Sequence, residues 1–254
     1  MKILDCHLSY GATVNGKPYR CCGTFEELRG ELSRSGIDGG LVRCVYSSSV
    51  GVNYGNGFLA KDLAESGNKD LWGVWAALPP FTDETPPPRL LPAAMKQNRI
   101  AAIYLDPRVH RYELNRLTVG ELLDTAERRR IPVLLNTALG VPMEKIYAIL
   151  RDFPKLTVLL GDSDCWPNAR RLYPLAATYE NVYLDLSYVM DAGGVEDMTR
   201  RFGAQRLLFG TAFPERYTGS MLAVVRGAAI GEKERAAIFG GNLERLIGEE
   251  DLSE

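Results

Sequence analysis

At 254 residues, 46% of them hydrophobic and 24% charged, the chain is long enough for a sizeable buried core and has an ordinary globular composition. A formal net charge of -2 and a pI near 5.9 give no basic field, which excludes a partner held by charge, whether nucleic acid or anionic lipid. No apolar run is long enough to span a bilayer, and Met1-Lys2-Ile3-Leu4-Asp5 puts an acid where a secretory signal would continue its apolar stretch.

The first predicted strand covers 2–8, and Thr24 with Glu27 fits a capping box that opens the first helix. Strand two covers 41–47 and a helix over 57–66 follows. Strand three, 71–78, runs into Pro79–Pro80 and Pro86–Pro88, a long loop, before a helix over 89–97. After strand four, 100–106, Thr118 with Glu121 fits a second capping box ahead of the apolar stripe Leu122, Leu123 and Ala126. The alternation continues with strands 131–136, 156–161, 181–187 and 206–211. Helices over 142–152, 167–178, 193–202, 217–229 and 232–247 lie between and after them.

Nearly continuous apolar runs such as Val133-Leu134-Leu135 suit parallel strands buried on both faces. Eight strand–helix units with no Gly-rich phosphate loop after the first strand predict an α/β chain closed as a single (β/α)8 TIM barrel over 1–254, with a C-terminal helix. The five cysteines, Cys6, Cys21, Cys22, Cys44 and Cys165, are odd in number and hold no C-x-x-C pair. That pattern suits reduced structural thiols, hence a cytoplasmic location, and excludes a zinc ribbon.

Chemistry in such a barrel sits where strands end. Strand one ends Asp5-Cys6-His7-Leu8-Ser9, and strand alternation places Asp5, His7 and Ser9 on one face with Cys6 on the other. The fifth segment reads Ile131-Pro132-Val133-Leu134-Leu135-Asn136-Thr137. Phe153-Pro154-Lys155-Leu156 leads to Gly161-Asp162, and the seventh strand reads Asn181-Val182-Tyr183-Leu184-Asp185-Leu186-Ser187. Arg206-Leu207-Leu208-Phe209-Gly210-Thr211-Ala212-Phe213-Pro214 and Gly240-Gly241-Asn242-Leu243-Glu244-Arg245-Leu246 follow.

In this order and spacing, these stretches resemble the amidohydrolase-related family of metal-dependent barrel hydrolases and decarboxylases across nearly the whole chain. The resemblance implies metal ligands at His7, Ser9, Asn136, Asp162 and Ala212. Only His7 keeps the family's residue type. Ser9, Asn136 and Asp162 stand where histidines are expected, and Ala212 stands for the aspartate that binds metal and takes a proton from the attacking water. A full zinc site is worth about 10–16 kcal/mol, and one imidazole with one carboxylate and neutral oxygens retains a fraction of that. The expected cofactor is therefore none, with a residual divalent ion as the other option. The resemblance also implies a homodimer.

Residues that converge on an ion in the family face one another once it is lost. His7 and Asp162 are accordingly expected to pair, and they are the candidate catalytic residues. Arg43 on strand two and Arg108 after strand four are candidates for holding a substrate carboxylate, with an outward position paired to helix acids as the alternative. Ser9 and Asn136 line the mouth, and Tyr104 and Trp166, with Tyr10, Tyr46 and Tyr188, supply aromatic surface at strand ends. Asp164 suits either a hard cation or a helix cap. Glu215 is the carboxylate nearest to Ala212, and His110 falls at the rim. The sequence leaves three readings open. In the first, the barrel binds a small organic acid without the family's metal-dependent hydrolysis, as a pseudoenzyme does. In the others it is an enzyme using His7 and Asp162 without metal, or a residual metal hydrolase.

Overall fold

The computed structural model describes residues 1–12, 22–137, 140–161 and 169–253. Eight parallel strands run in sequential order: β1 (Leu4–Tyr10), β2 (Gly39–Cys44), β3 (Leu71–Ala76), β4 (Ile100–Tyr104), β5 (Val133–Asn136), β6 (Val158–Gly161), β7 (Val182–Asp185) and β8 (Leu207–Leu208). The first and last strands meet through Cys6 N donating to Phe209 O and Ser9 N donating to Phe213 O. This is the (β/α)8 barrel that the alternation predicts.

The helices are α1 (Phe25–Ser35), α2 (Tyr46–Ser49), α3 (Val52–Ser66), α4 (Leu91–Gln97), α5 (Arg116–Arg129), α6 (Met143–Asp152), α7 (Ala169–Thr178), α8 (Gly194–Phe202), α9 (Thr218–Gly227), α10 (Glu232–Ala236) and α11 (Asn242–Glu249). A π-helical turn, Ala237–Gly241, joins the last two and breaks the single helix expected over 232–247. The Thr24–Glu27 capping box is present. The second one is not: Asn115 caps α5 by accepting from Thr118 N at 3.1 Å, so Thr118 is the third residue of the helix. Strand two ends at Cys44, three residues before its expected end, because the chain turns directly into α2.

Side chains divide by strand parity into two buried layers. Val42, Ile103, Val133, Leu135, Val158, Leu160, Val182 and Leu184 face the helices. Leu4, Cys6, Leu41, Val74, Tyr104, Leu134, Leu159, Tyr183 and Leu208 fill the barrel, where Leu243 and Leu246 of α11 join them. Several of the recognised sequence motifs serve this architecture. Asn242 donates to the Ala204 and Leu207 carbonyls, and Arg206 donates to the Val182 and Tyr179 carbonyls. A Cβ on Gly240 would lie 2.7 Å from the Lys2 carbonyl.

One irregularity matters for the mouth. Asp5 pairs with Gly40 but Leu8 pairs with Val42, so β1 carries one residue more than β2 over this step. The bulge resets the alternation. Leu4 and Cys6 face the interior before it, and Leu8 and Tyr10 face the helices after it. Gly40 makes room for it: φ is +145° there, and a Cβ would come within 1.9 Å of the Asp5 carbonyl.

Candidate functional site

The upper interior of the barrel is polar, and its two sides differ. On the β7, β8 and β1 side, His7 donates Nδ1–H to Asp185 Oδ2 at 2.7 Å, with both side chains buried. Ser187, in the 3₁₀ turn after β7, donates Oγ–H to Asp185 Oδ2 at 2.7 Å and its backbone N–H to Oδ1 at 2.9 Å. Burial alone would raise the Asp185 carboxyl. The His7 charge and hydrogen bond, with the Ser187 bonds, outweigh it and hold the group below its ordinary value. The bond to Asp185 occupies Nδ1 and leaves Nε2 as the ring's other polar atom. Gly210 makes the space, since a Cβ there would lie 2.2 Å from Asp185 Oδ1.

Asp5 binds the same region from behind. It accepts from His7 N at 2.8 Å, Thr211 N at 3.1 Å and Thr211 Oγ1 at 2.5 Å. Desolvation dominates its titration and pushes the carboxyl up to about 6 despite those bonds. The regular-strand expectation that Cys6 points away from this site fails because of the bulge. Cys6 lies in the interior beside Asp185, and burial first, then the Asp185 charge, raises its thiol well above the ordinary value. Such a thiol stays protonated and inert.

On the β2 and β4 side, Arg43 shares the inward parity of Leu41 and is only 8% exposed. Its Cζ lies 5.1 Å from the Tyr104 ring centroid, a cation–π contact. Among the described residues the guanidinium has no hydrogen bond or ion pair. The Tyr104 hydroxyl is held by Ser47 Oγ at 2.7 Å and Ser48 Oγ at 3.0 Å. His110 donates Nε2–H to the Ser47 carbonyl at 3.1 Å, which makes Nδ1 an acceptor. That Nδ1 and the Tyr112 hydroxyl are buried without a partner among the described residues.

The remaining candidates fall around this mouth with mixed outcomes. Asn136 is buried at the end of β5, its amide packed over Gly161. Ser9 is buried with its hydroxyl 3.4 Å from the Phe213 carbonyl. Arg108 is exposed and lies over Gly140. Glu215 is exposed and accepts from the Tyr188 hydroxyl at 3.1 Å. Tyr10 is core, bonded to Asp62 and edge-on to Phe25. Tyr46 packs with Tyr54 and Phe58 on α2 and α3. Asp162, Asp164 and Trp166 lie outside the described residues. The carboxylate found against His7 is Asp185, to which the sequence reading assigned no role. Its one signal was an acid ending an otherwise apolar strand.

A family model described as amidohydrolase matches residues 62–248. The chain belongs to the amidohydrolase family. Solved structures similar to this amidohydrolase-family barrel include an uncharacterised TIM-barrel protein from Bordetella bronchiseptica, at 22% identity and a TM-score of 0.73, covering 98% of this chain and 99% of that one. A protein from Pseudomonas putida proposed as a 2-pyrone-4,6-dicarboxylic acid hydrolase shares 14% identity at a TM-score of 0.71, covering 98% of each chain. The 2,6-dihydroxybenzoate decarboxylase from Rhizobium shares 14% at 0.69, covering 98% and 99%. Identities this low establish the fold alone. No curated protein matches the sequence.

The family's metal can be tested against the donors present. Among the described residues no three His, Cys, Asp or Glu side chains form a group able to hold an ion. Ser9 and Asn136 offer neutral donors at the family positions, Ala212 offers a methyl, and His7 Nδ1 is bonded to Asp185. These residues do not fit a zinc-type centre, which needs three or four charged or imidazole ligands. The metal site of this family member is degenerate. Among the described residues no helix is long and apolar enough to cross a membrane.

Proposed function

We propose that the barrel mouth binds a small organic carboxylate, recognised by Arg43, without the family's metal-dependent hydrolysis. The observation that carries this reading is the buried Arg43 guanidinium with no anionic partner among the described residues. Burying an unpaired cation is costly, and a ligand carboxylate accepting two parallel N–H bonds would compensate it. The His110 ring lies 6.4 Å from the Tyr104 ring, on the same side of the barrel as Arg43. Two neighbours in fold are named for ring-bearing acids, a dihydroxybenzoate and a pyrone dicarboxylate, which suits the Tyr104 ring beside Arg43. Asn136 and Ser9 would line the ligand. Asp162, Asp164 and Trp166, outside the described residues, remain candidate ligand contacts by sequence, and Arg108 would contribute from the rim.

Calorimetric titration with phthalate, benzoate and succinate tests the reading. Binding of at least one acid should survive EDTA, and Arg43→Met should weaken it at least tenfold. Affinity unchanged in Arg43→Met, or lost on chelation, would refute it.

A second reading has its own observation, the 2.7 Å bond from His7 Nδ1 to Asp185. A carboxylate that fixes the imidazole tautomer leaves Nε2 available as a general base. The arrangement is not a nucleophilic triad, because Ser187 bonds to the Asp185 side of the ring. Under this reading an acid that binds is also turned over, and His7→Gln abolishes turnover while leaving affinity within about threefold. Binding without product excludes it.

A further inference from the structure

A cavity of about 320 Å³ opens beside the mouth, between the segment after β7 and helix α9. Its floor is buried and mixed: Ser187, Val189, Thr211 and Met221. Its walls are apolar and open to solvent, with Met190 72%, Tyr217 56% and Val224 40% exposed. Exposed apolar side chains gathered round a concavity mark a binding site more often than a bare surface does. At the lip stands Arg216, whose Cζ lies 4.1 Å from the Tyr188 ring centroid and whose Nη1 lies 3.2 Å from the Met190 sulfur. Among the described residues no carboxylate pairs with this guanidinium.

We infer that this cavity is a second ligand site, for a small monocarboxylate with a flat or branched apolar body. The thioethers of Met190 and Met221 and the Tyr217 ring suit such a body, since methionine adapts its shape and contacts aromatic edges well. The Arg216 cation at the open end takes the carboxylate, which stays partly in water and so pays little desolvation. The ring of Tyr188 separates this site from the mouth, touching Arg216 and lying 6.2 Å from the His7 ring. Ser187 forms part of the floor and also bonds to Asp185, so an occupant rests against the side chain that steadies the His7 pair. The inference stands apart from the reading of Arg43, which concerns a different cation.

Benzoate is the probe, with neutral benzamide as its control, followed through methyl resonances of methionine-labelled full-length protein. Met190 and Met221 should shift on saturation with benzoate and respond at least tenfold more weakly to benzamide. Arg216→Met should weaken the response at least tenfold, and Val224→Trp, which fills the cavity from its edge, should abolish it. Both positions are solvent-facing, and unchanged thermal unfolding verifies that the variants fold. Arg43→Met should leave these two resonances and their titration curve as they are. The inference is overturned if Met190 and Met221 do not move at saturating benzoate, if benzamide matches benzoate, or if Arg43→Met, but not Arg216→Met, removes the shifts.

Discussion

On the β7, β8 and β1 side of the mouth, buried polar groups are matched. Asp185 accepts from His7 and twice from Ser187, and Asp5 accepts from His7 and twice from Thr211. On the β2 and β4 side, Arg43, His110 Nδ1 and the Tyr112 hydroxyl are left without such bonds among the described residues. The first arrangement holds the barrel together where β8 closes on β1. The second leaves buried hydrogen-bonding capacity unused among the described residues, and on the reading proposed above that asymmetry separates a scaffold from a recognition surface.

The contrast can be broken most severely at Asp185. Asp185→Ala strands a buried imidazole and two Ser187 donors, and should destabilise the protein by about 3–5 kcal/mol in urea unfolding. A loss below about 1 kcal/mol would mean that the matched side is not structural.

Next comes Asp5, whose carboxyl sits at about 6 when folded against an ordinary 3.8. The folded state therefore favours the protonated form. Its contribution is full below about pH 4 and declines as pH rises towards 6, by up to about 3 kcal/mol. Asp185, held below its ordinary value, acts in the opposite sense, and its contribution is lost as pH falls through its folded pKa. Asp5→Asn should flatten the decline between pH 4 and 6. An unaltered pH profile of stability would assign the slope elsewhere.

Arg43 should answer with the other sign. Arg43→Met removes an uncompensated buried cation and should stabilise the ligand-free protein by about 1–2 kcal/mol, measured by thermal unfolding. Destabilisation of that size would show that Arg43 belongs to the scaffold. The smallest effect is expected at Ala212, which adopts φ +54°. Ala212→Gly relieves that conformation but adds unfolded-state entropy, so a net change under about 1 kcal/mol is expected.

Much of this was legible before any coordinates. The apolar runs Val133-Leu134-Leu135 and Val158-Leu159-Leu160 placed β5 and β6, and Thr24 with Glu27 placed the start of α1. The loss of ligand types at Ser9, Asn136 and Ala212 needed no structure either, because it is a matter of residue chemistry in order along the chain. Thr118 misled because Asn115, three residues earlier, offers the same capping oxygen, and local pattern does not rank the two.

What the sequence determined by itself was the barrel and the missing metal set, since periodicity and donor type are local properties. Which carboxylate meets His7 was decided by tertiary structure: His7 and Asp185 lie 178 residues apart and meet where the end of the barrel closes on β1. That the consecutive residues Cys6 and His7 both reach Asp185 depended likewise on a bulge that Gly40 on the neighbouring strand makes room for. Pairings of that kind arise from strand register between distant segments, and register leaves no trace in either segment alone.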